Sequence, residues 1–190
     1  MSLFPPTSGE LLDEDAFDKQ FDDAWSAART RFFKCETLQA YMEPDDPSFQ
    51  AFERGDFPEA RHLVAERIRA QRMMYDEALG RGLTLARVRV AALPLTPYLS
   101  EYEIPSYEVS QGLGETIRIA TKDQLGEMQV GDFLLFDNDV VFVHCHNSQG
   151  VPDGAWRVSG FDATKPYVAL AEHLLSNSQP LDHFLASYTS

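Results

Sequence analysis

The fold is decided by residues 131 to 150, Gly131-Asp-Phe-Leu-Leu-Phe-Asp-Asn-Asp-Val-Val-Phe-Val-His-Cys-His-Asn-Ser-Gln-Gly150. Two β-rich runs flank Asp137-Asn138-Asp139, and Asn and Asp tolerate the left-handed backbone angles of a tight turn. The stretch therefore predicts a β-hairpin in the middle of a sheet. Side chains alternate along a strand, so Phe142, His144 and His146 are expected to share one face of it.

Length and composition predict one domain. The chain has 190 residues, of which 44% are apolar, and this suits a single domain with a sizeable core. Its two cysteines, Cys35 and Cys145, are too few for a disulfide framework, and no Cys-x-x-Cys spacing indicates a zinc site. No apolar run approaches the roughly 18 residues that span a bilayer, and the first residues lack the pattern of a secretory signal. We therefore expect a cytoplasmic protein with no membrane association.

Charge limits the expected partners. The formal net charge at pH 7 is -14. Because nucleic-acid phosphates attract clustered Lys and Arg, this charge predicts no direct binding to DNA or RNA. Eight of the sixteen basic residues nevertheless lie between Arg54 and Arg89, whereas residues 10–23 hold seven acids. A local basic surface therefore stays open as an alternative.

Strands and helices alternate along the predicted chain. Residues 1–12 carry no periodic pattern and are expected to form a mobile arm, followed by a single α/β domain over residues 13–190. Phe17, Phe21 and Trp25 recur at helical spacing and predict a first helix. Interleaved elements favour an α/β fold, a mixed β-sheet with helices packed on it, and α+β is the alternative. The other predicted elements are helices at 59–79, from 97 until Pro105, at 162–175 and at 180–187, an extended segment at 107–109, and strands at 33–41, 83–93, 115–120, 133–136, 140–145 and 155–159.

Polar side chains on the predicted strands form the candidate site. Arg87 and Arg89 fall on one face of the strand at 83–93. Two neighbouring arginines need acceptors, which are either carboxylates such as Glu36, Glu101 or Glu103, or an anionic ligand held by the planar guanidinium groups. His144 is expected to face their pocket only if the strands at 83–93 and 140–146 are neighbours in the sheet. The predicted ligand-binding residues are Arg87, Arg89, Tyr98, Glu103, His144 and His146.

The two histidines leave further alternatives open. His144 and His146, two residues apart on one strand, have the spacing of two metal ligands that a carboxylate would complete, from Asp137, Asp139, Glu101 or Glu103. Cys145 points to the opposite face and cannot join them. The sequence indicates no third ligand and no complete catalytic constellation. We therefore predict no metal, no cofactor and no catalytic residue, and structural histidines are the simplest interpretation.

Three segments together resemble a known family. They are Phe33-Lys-Cys-Glu-Thr-Leu-Gln-Ala-Tyr41, Ala86-Arg-Val-Arg-Val-Ala-Ala-Leu-Pro-Leu-Thr-Pro-Tyr-Leu-Ser-Glu-Tyr-Glu103, and Gly131-Asp-Phe-Leu-Leu-Phe-Asp137 with Val140-Val-Phe-Val-His144. The family is a group of small actinobacterial proteins classed as domain of unknown function 6879, and the resemblance spans residues 15 to 188. Its members often sit beside helix-turn-helix regulators. The resemblance implies a regulatory or signalling role through a protein partner, with a helix-turn-helix transcription regulator as the expected partner.

A more distant similarity is to the phospholipase D superfamily, whose hairpin follows a His-x-Lys motif. Aligning the superfamily's Asp on Asp137 places Val130 and Asp132 at the positions of that His and Lys. Attack on a phosphodiester needs the imidazole and the lysine. The similarity therefore implies a phospholipase D-like half-domain topology without that enzyme's activity.

These observations predict a non-catalytic regulatory protein. The alternative is a small enzyme or ligand-binding protein whose pocket for a small anion is built on Arg87, Arg89, Tyr98 and His144.

Overall fold

The fold is a mixed β-sheet with helices on both faces, seen in a computed structural model that describes residues 3–188. Its strands are β1 (Glu10–Leu12), β2 (Arg31–Glu36), β3 (Thr84–Ala91), β4 (Thr116–Thr121), β5 (Phe133–Phe136), β6 (Val140–His146), β7 (Pro152–Ser159) and β8 (Gln179–Pro180). They form one eight-stranded sheet in the order β1-β7-β6-β5-β2-β3-β4-β8. Strands β2, β3 and β4 run parallel to one another, and the remaining pairs are antiparallel. The predicted α/β class is confirmed, whereas a phospholipase D-like topology is not.

Two helix predictions need correction. The helices are α1 (Glu14–Ala27), α2 (Pro47–Glu53), α3 (Phe57–Ala70), α4 (Arg72–Gly80), α5 (Ile104–Gly112), α6 (Lys122–Leu125), α7 (Phe161–Ser176) and α8 (Leu181–Tyr188), with a π-helical turn at Tyr98–Glu103. The helix expected over 59–79 is two helices that meet at Gln71. Pro105 does not end a helix; it lies in the first turn of α5, directly after the π-helical turn, and residues 107–109 are helical rather than extended.

The hairpin of β5 and β6 is confirmed. Its turn residue Asp137 has a φ of 51°. The Asp137 carboxylate accepts hydrogen bonds from the backbone N–H groups of Arg29, Thr30 and Arg31 at 2.7–3.2 Å, and from the Thr30 hydroxyl at 2.6 Å. These hydrogen bonds join the hairpin turn to the chain that enters β2. The turn therefore fixes where β2 begins as well as where β5 ends.

Part of the N-terminal segment contacts the sheet and α7, and the mobile arm over residues 1–12 stays a prediction. Strand β1 pairs with β7, and the Phe4 ring packs edge-on against Tyr167 at 5.9 Å between centroids. The Tyr167 hydroxyl donates to the Leu3 carbonyl at 2.8 Å. These contacts depend on strand pairing and on single apolar side chains, which leave no periodic pattern in the sequence. Residues 1 and 2 lie outside the described residues, and the single domain over residues 13–190 stays a prediction.

Alternation along the central strands gives the sheet two distinct faces. One face carries an apolar layer that includes Phe33, Val88 and Val143, and α7 covers it. The opposite face, here called the cleft face, carries the predicted site residues of β3 and β6 and is covered by α1 to α5 and α8. No helix within residues 3–188 is long and apolar enough to cross a membrane.

Candidate functional site

A cavity of about 480 Å³ lies on the cleft face of the sheet. Three of the acidic side chains on its wall are buried, with 4% of Glu36, 9% of Glu103 and 7% of Asp132 exposed. We call this cavity the carboxyl cleft. It contains four of the six predicted site residues: Arg87, Glu103, His144 and His146.

Sheet geometry explains how these residues meet. Parallel pairing sets Lys34 of β2 beside Arg87 of β3, and Glu36 beside Arg89. Strands β3 and β6 are not neighbours, because β5 and β2 lie between them. The expectation that His144 could face the pocket of the arginines only from a strand next to β3 was therefore wrong. His144 and Arg87 line the same cleft because every second side chain of the intervening strands points to this face as well. A β-bulge between His144 and His146 does not remove either ring from the cleft.

Arg87 is held by carboxylates. Its Nε donates to Glu115 at 2.9 Å and its Nη1 lies 3.3 Å from Glu36. Glu36 also binds the Lys34 ammonium at 2.7 Å and accepts from the Tyr107 hydroxyl at 2.6 Å. Burial alone would raise the pKa of Glu36, but Arg87 and Lys34 outweigh burial and hold that pKa below its usual value. Of the two alternatives for Arg87, the geometry matches the ion pair within the sheet.

Arg89 is fully buried and lies outside the lining of the cleft. Its Nη2 donates to the Leu38 carbonyl, and its guanidinium carbon lies 5.1 Å from the centroid of the Tyr41 ring. Its Nε and Nη1 have no hydrogen-bond partner among residues 3–188. The two arginines expected to act together therefore have different surroundings.

Glu103 is the most distinctive group of the carboxyl cleft. The Tyr98 hydroxyl donates to its Oε2 at 3.1 Å, and within residues 3–188 no other hydrogen bond reaches the Glu103 carboxyl. Tyr98 itself is 3% exposed and does not line the cleft. Burial, followed by the charge of Glu36, raises the pKa of Glu103. The other carboxyl oxygen has no hydrogen-bond partner among residues 3–188 and is open to the cavity rather than fully buried.

The surroundings of the two histidines disfavour their protonated forms. Burial, reinforced by the nearby Lys34 ammonium, lowers the pKa of His144 to about 4, although Asp132 opposes the shift. Burial also lowers the pKa of His146, whose Nε2 lies 3.9 Å from Asp132. Both rings are therefore mainly neutral at pH 7 and offer one donor and one acceptor each. No group of three or more His, Cys, Asp or Glu within the described chain is placed to hold a metal ion.

Several residues of the cleft were missed by sequence reasoning, and three of them form its polar floor beside the histidines. Lys34, Tyr41 and Asp132 line it, and the Tyr41 hydroxyl donates to Asp132. Asp132 also accepts from the backbone N–H and hydroxyl of Thr37, at 2.7 and 2.5 Å. Alternation from Glu36 would have placed Lys34 on the same face, whereas nothing in the sequence joins Asp132 to Tyr41.

The balance of charge in the carboxyl cleft differs from the predicted anion pocket. Carboxyl groups outnumber cationic side chains on its walls. The carboxyls belong to Glu14, Asp18, Glu36, Glu43, Glu103 and Asp132, and the cations are Lys34, Arg67 and Arg87. The cleft therefore favours positive or neutral ligand groups over anions.

Fold and site define an α/β protein with one large polar cleft over the centre of its sheet. Residues 19–186 match the family described as Domain of unknown function (DUF6879). The chain belongs to that family. No curated protein matches it.

A solved structure with some similarity is that of TrmBL2, an archaeal chromatin protein whose structure is described as showing a novel mode of DNA binding. The identity is 10%, the TM-score is 0.46, and the match covers 93% of this chain and 57% of that one. The expectation of no direct nucleic-acid binding is corrected at this point, because a DNA-binding protein stands among the structural matches. The exclusion made from net charge is therefore withdrawn.

Proposed function

We propose that this protein binds a small ligand in the carboxyl cleft and that the ligand carries a protonated amine. The observation that supports this proposal is Glu103, a carboxyl with 9% exposure that borders a cavity of about 480 Å³ and has one unpaired oxygen among the described residues. That oxygen is not among the fully buried atoms that lack a partner, so it is open to the cavity, and a charged donor there would form a strong hydrogen bond with it. An ammonium group of a ligand would supply the missing donor. A cavity of this size suits a small molecule.

The cations on the wall support an amine rather than an acid. Arg87 is paired with Glu36 and Glu115, and Lys34 is paired with Glu36. Arg67 is paired with Glu43 and with Asp46. A bound anion would have to displace one of these carboxylates. A bound cation would not, because Glu103 has no cationic side chain within 4 Å among the described residues. Electrostatic complementarity therefore selects for positive charge.

Titration calorimetry with matched small molecules tests the proposal. We expect propylamine and 2-phenylethylamine to bind and propionate to bind at least tenfold more weakly. Glu103→Gln should weaken amine binding about tenfold, because a hydrogen bond to a charged group contributes about 1.5–3 kcal/mol. Amine affinity should also rise as the pH is raised through the elevated pKa of Glu103, since only the carboxylate attracts the ammonium.

The matched control is Glu101→Gln, two residues away. Glu101 pairs with Arg61 and does not line the cleft, so this variant should bind amines as the wild type does. Absence of binding by every amine at millimolar concentration would overturn the proposal. Tighter binding of propionate than of propylamine would overturn it as well.

Acid–base catalysis is a second candidate function, favoured by one observation. Glu36 and Glu103 lie in one cleft, and their surroundings shift their pKa values in opposite directions. Such pairs commonly divide the roles of general acid and general base. Chromatography of a bound amine after prolonged incubation separates the candidates: a changed molecule indicates catalysis, and an unchanged one indicates binding alone.

The regulatory role through a protein partner, with a helix-turn-helix regulator foremost, stays a prediction that rests on the family resemblance alone. Co-purification with the product of a neighbouring regulator gene tests it separately from ligand binding.

A further inference from the structure

A second cavity, of about 370 Å³, lies against the carboxyl cleft. Residues common to both walls include Phe17, Lys34, Tyr75, Arg87 and His144. The two spaces are thus neighbours that share a boundary rather than separate sites. One molecule that passes this boundary would contact both.

The second cavity has a different chemistry. We call it the aromatic chamber, and the apolar residues that line it but not the carboxyl cleft are Phe21, Trp25, Phe32, Met74, Leu85 and Leu134. The Trp25 ring lies 5.2 Å from Phe32 and is stacked 6.1 Å from Phe21. Rings arranged in this way provide flat apolar walls, which suit another ring better than a polar head group.

Helix α1 covers this chamber without being buried itself. Phe17, Phe21 and Trp25 are all half-buried, and no residue of α1 is fully buried. Large apolar rings that stay partly exposed next to a cavity lose packing contacts that a ligand would restore. The aromatic rings that recur along α1 pack against the core, and they also form one wall of a binding space.

We infer that the ligand is an amphipathic amine, with an aromatic or alicyclic ring in the aromatic chamber and its ammonium on Glu103 in the carboxyl cleft. This inference rests on the proposed function and adds the ligand's apolar half. Glu103 lines only the cleft and Trp25 lines only the chamber. A ligand confined to the cleft would leave Trp25 untouched, whereas a ring that occupies the chamber would share its lining with Trp25.

Two measurements test the inference. The chain has two tryptophans, Trp25 and Trp156. In a Trp156→Phe protein the fluorescence comes from Trp25 alone, and 2-phenylethylamine should change its emission while propylamine leaves it unchanged. In calorimetry, 2-phenylethylamine should bind roughly 30-fold more tightly than propylamine, because its ring leaves water for an apolar site.

A pair of variants on α4 locates the ring. Met74→Trp fills the aromatic chamber and should reduce 2-phenylethylamine affinity to that of propylamine, which binds normally. Met73→Trp adds the same side chain at a position that is 74% exposed and should leave both affinities unchanged. Phe21→Ala, which removes a wall ring, is the second variant and should weaken 2-phenylethylamine binding alone.

The inference and the proposed function fail in different ways. Equal affinity of the two amines, or loss of both in folded Met74→Trp protein, would overturn the amphipathic ligand and leave the amine site standing. Absence of binding by both amines overturns the proposed function and the inference together.

Discussion

Protonation of His144 should weaken the fold in mild acid. The ring lies beneath Phe17, with 5.2 Å between the ring centroids, and its neighbours include Lys34. Burial and this cation hold the pKa of His144 at about 4, whereas the ordinary value of 6.5 applies in the unfolded chain. Between these two values the unfolded state binds more protons than the folded state. The free energy of unfolding therefore falls as the pH drops from 6.5 towards 4.

The size of this effect follows from the two pKa values. Proton linkage from pH 7 to pH 5 gives a loss of about 2 kcal/mol from His144 alone. His144→Asn removes the titrating ring, so the variant should lose about 2 kcal/mol less than the wild type over the same interval. Its stability at pH 7 is expected to be lower, since the contact with Phe17 is gone.

Urea denaturation followed by circular dichroism at pH 7, 6 and 5 measures the difference. Carboxyl groups that titrate in the same range affect both proteins and largely cancel in the comparison. His183→Asn, a change at an exposed position of α8 away from the cleft, should keep the wild-type dependence on pH. Equal losses for the wild type and His144→Asn would refute the buried neutral state of His144.

Two further predictions concern the frame that carries the site. Asp137→Ala removes the carboxylate that binds three successive backbone N–H groups. This variant should lower the free energy of unfolding by about 2–4 kcal/mol in urea denaturation. Asp139→Ala, in the same turn, is the control and should lower it by under about 1 kcal/mol. Gly154→Ala should cost more than about 2 kcal/mol and lower the melting temperature, because Gly154 has a φ of 75° and a Cβ there would lie 2.1 Å from the Leu12 carbonyl oxygen. Gly150→Ala, also at positive φ but with its nearest contact at 3.6 Å, isolates the backbone cost. Equal effects within either pair would contradict the contacts described.

Local signals predicted much of the fold. The hairpin was readable because Asp137 stands between two short β-rich runs, and the first helix because its rings recur every four residues. Breaks inside helices were not readable. Gln71 interrupts a periodic pattern without proline or glycine, and Pro105 is compatible with a helix start as well as with a helix end.

The site was predictable only residue by residue. Strand alternation correctly grouped Arg87 with Arg89 and His144 with His146, since side-chain parity is a local property. Alternation did not predict that Glu115, 28 residues further along the chain, would bind Arg87. This ion pair occupies the guanidinium donors that an anionic ligand would need. Pairing of that kind depends on strand order, which alternation does not encode. The net charge of -14 likewise says nothing about where carboxyls collect.

The two edges of the sheet have a consequence for how copies of this protein meet. Strand β7 spans eight residues and is covered by three-residue β1, while β4 is covered by two-residue β8. Short edge strands offer few free backbone groups to another chain, which protects a sheet from growing by strand addition. Strand β1 pairs only with Ala155, Trp156 and Arg157, so a chain shortened to begin at residue 13 would uncover these three and leave the whole outer edge of β7 as an open template. Such a shortened protein should self-associate and precipitate, even though every residue of the carboxyl cleft is still present.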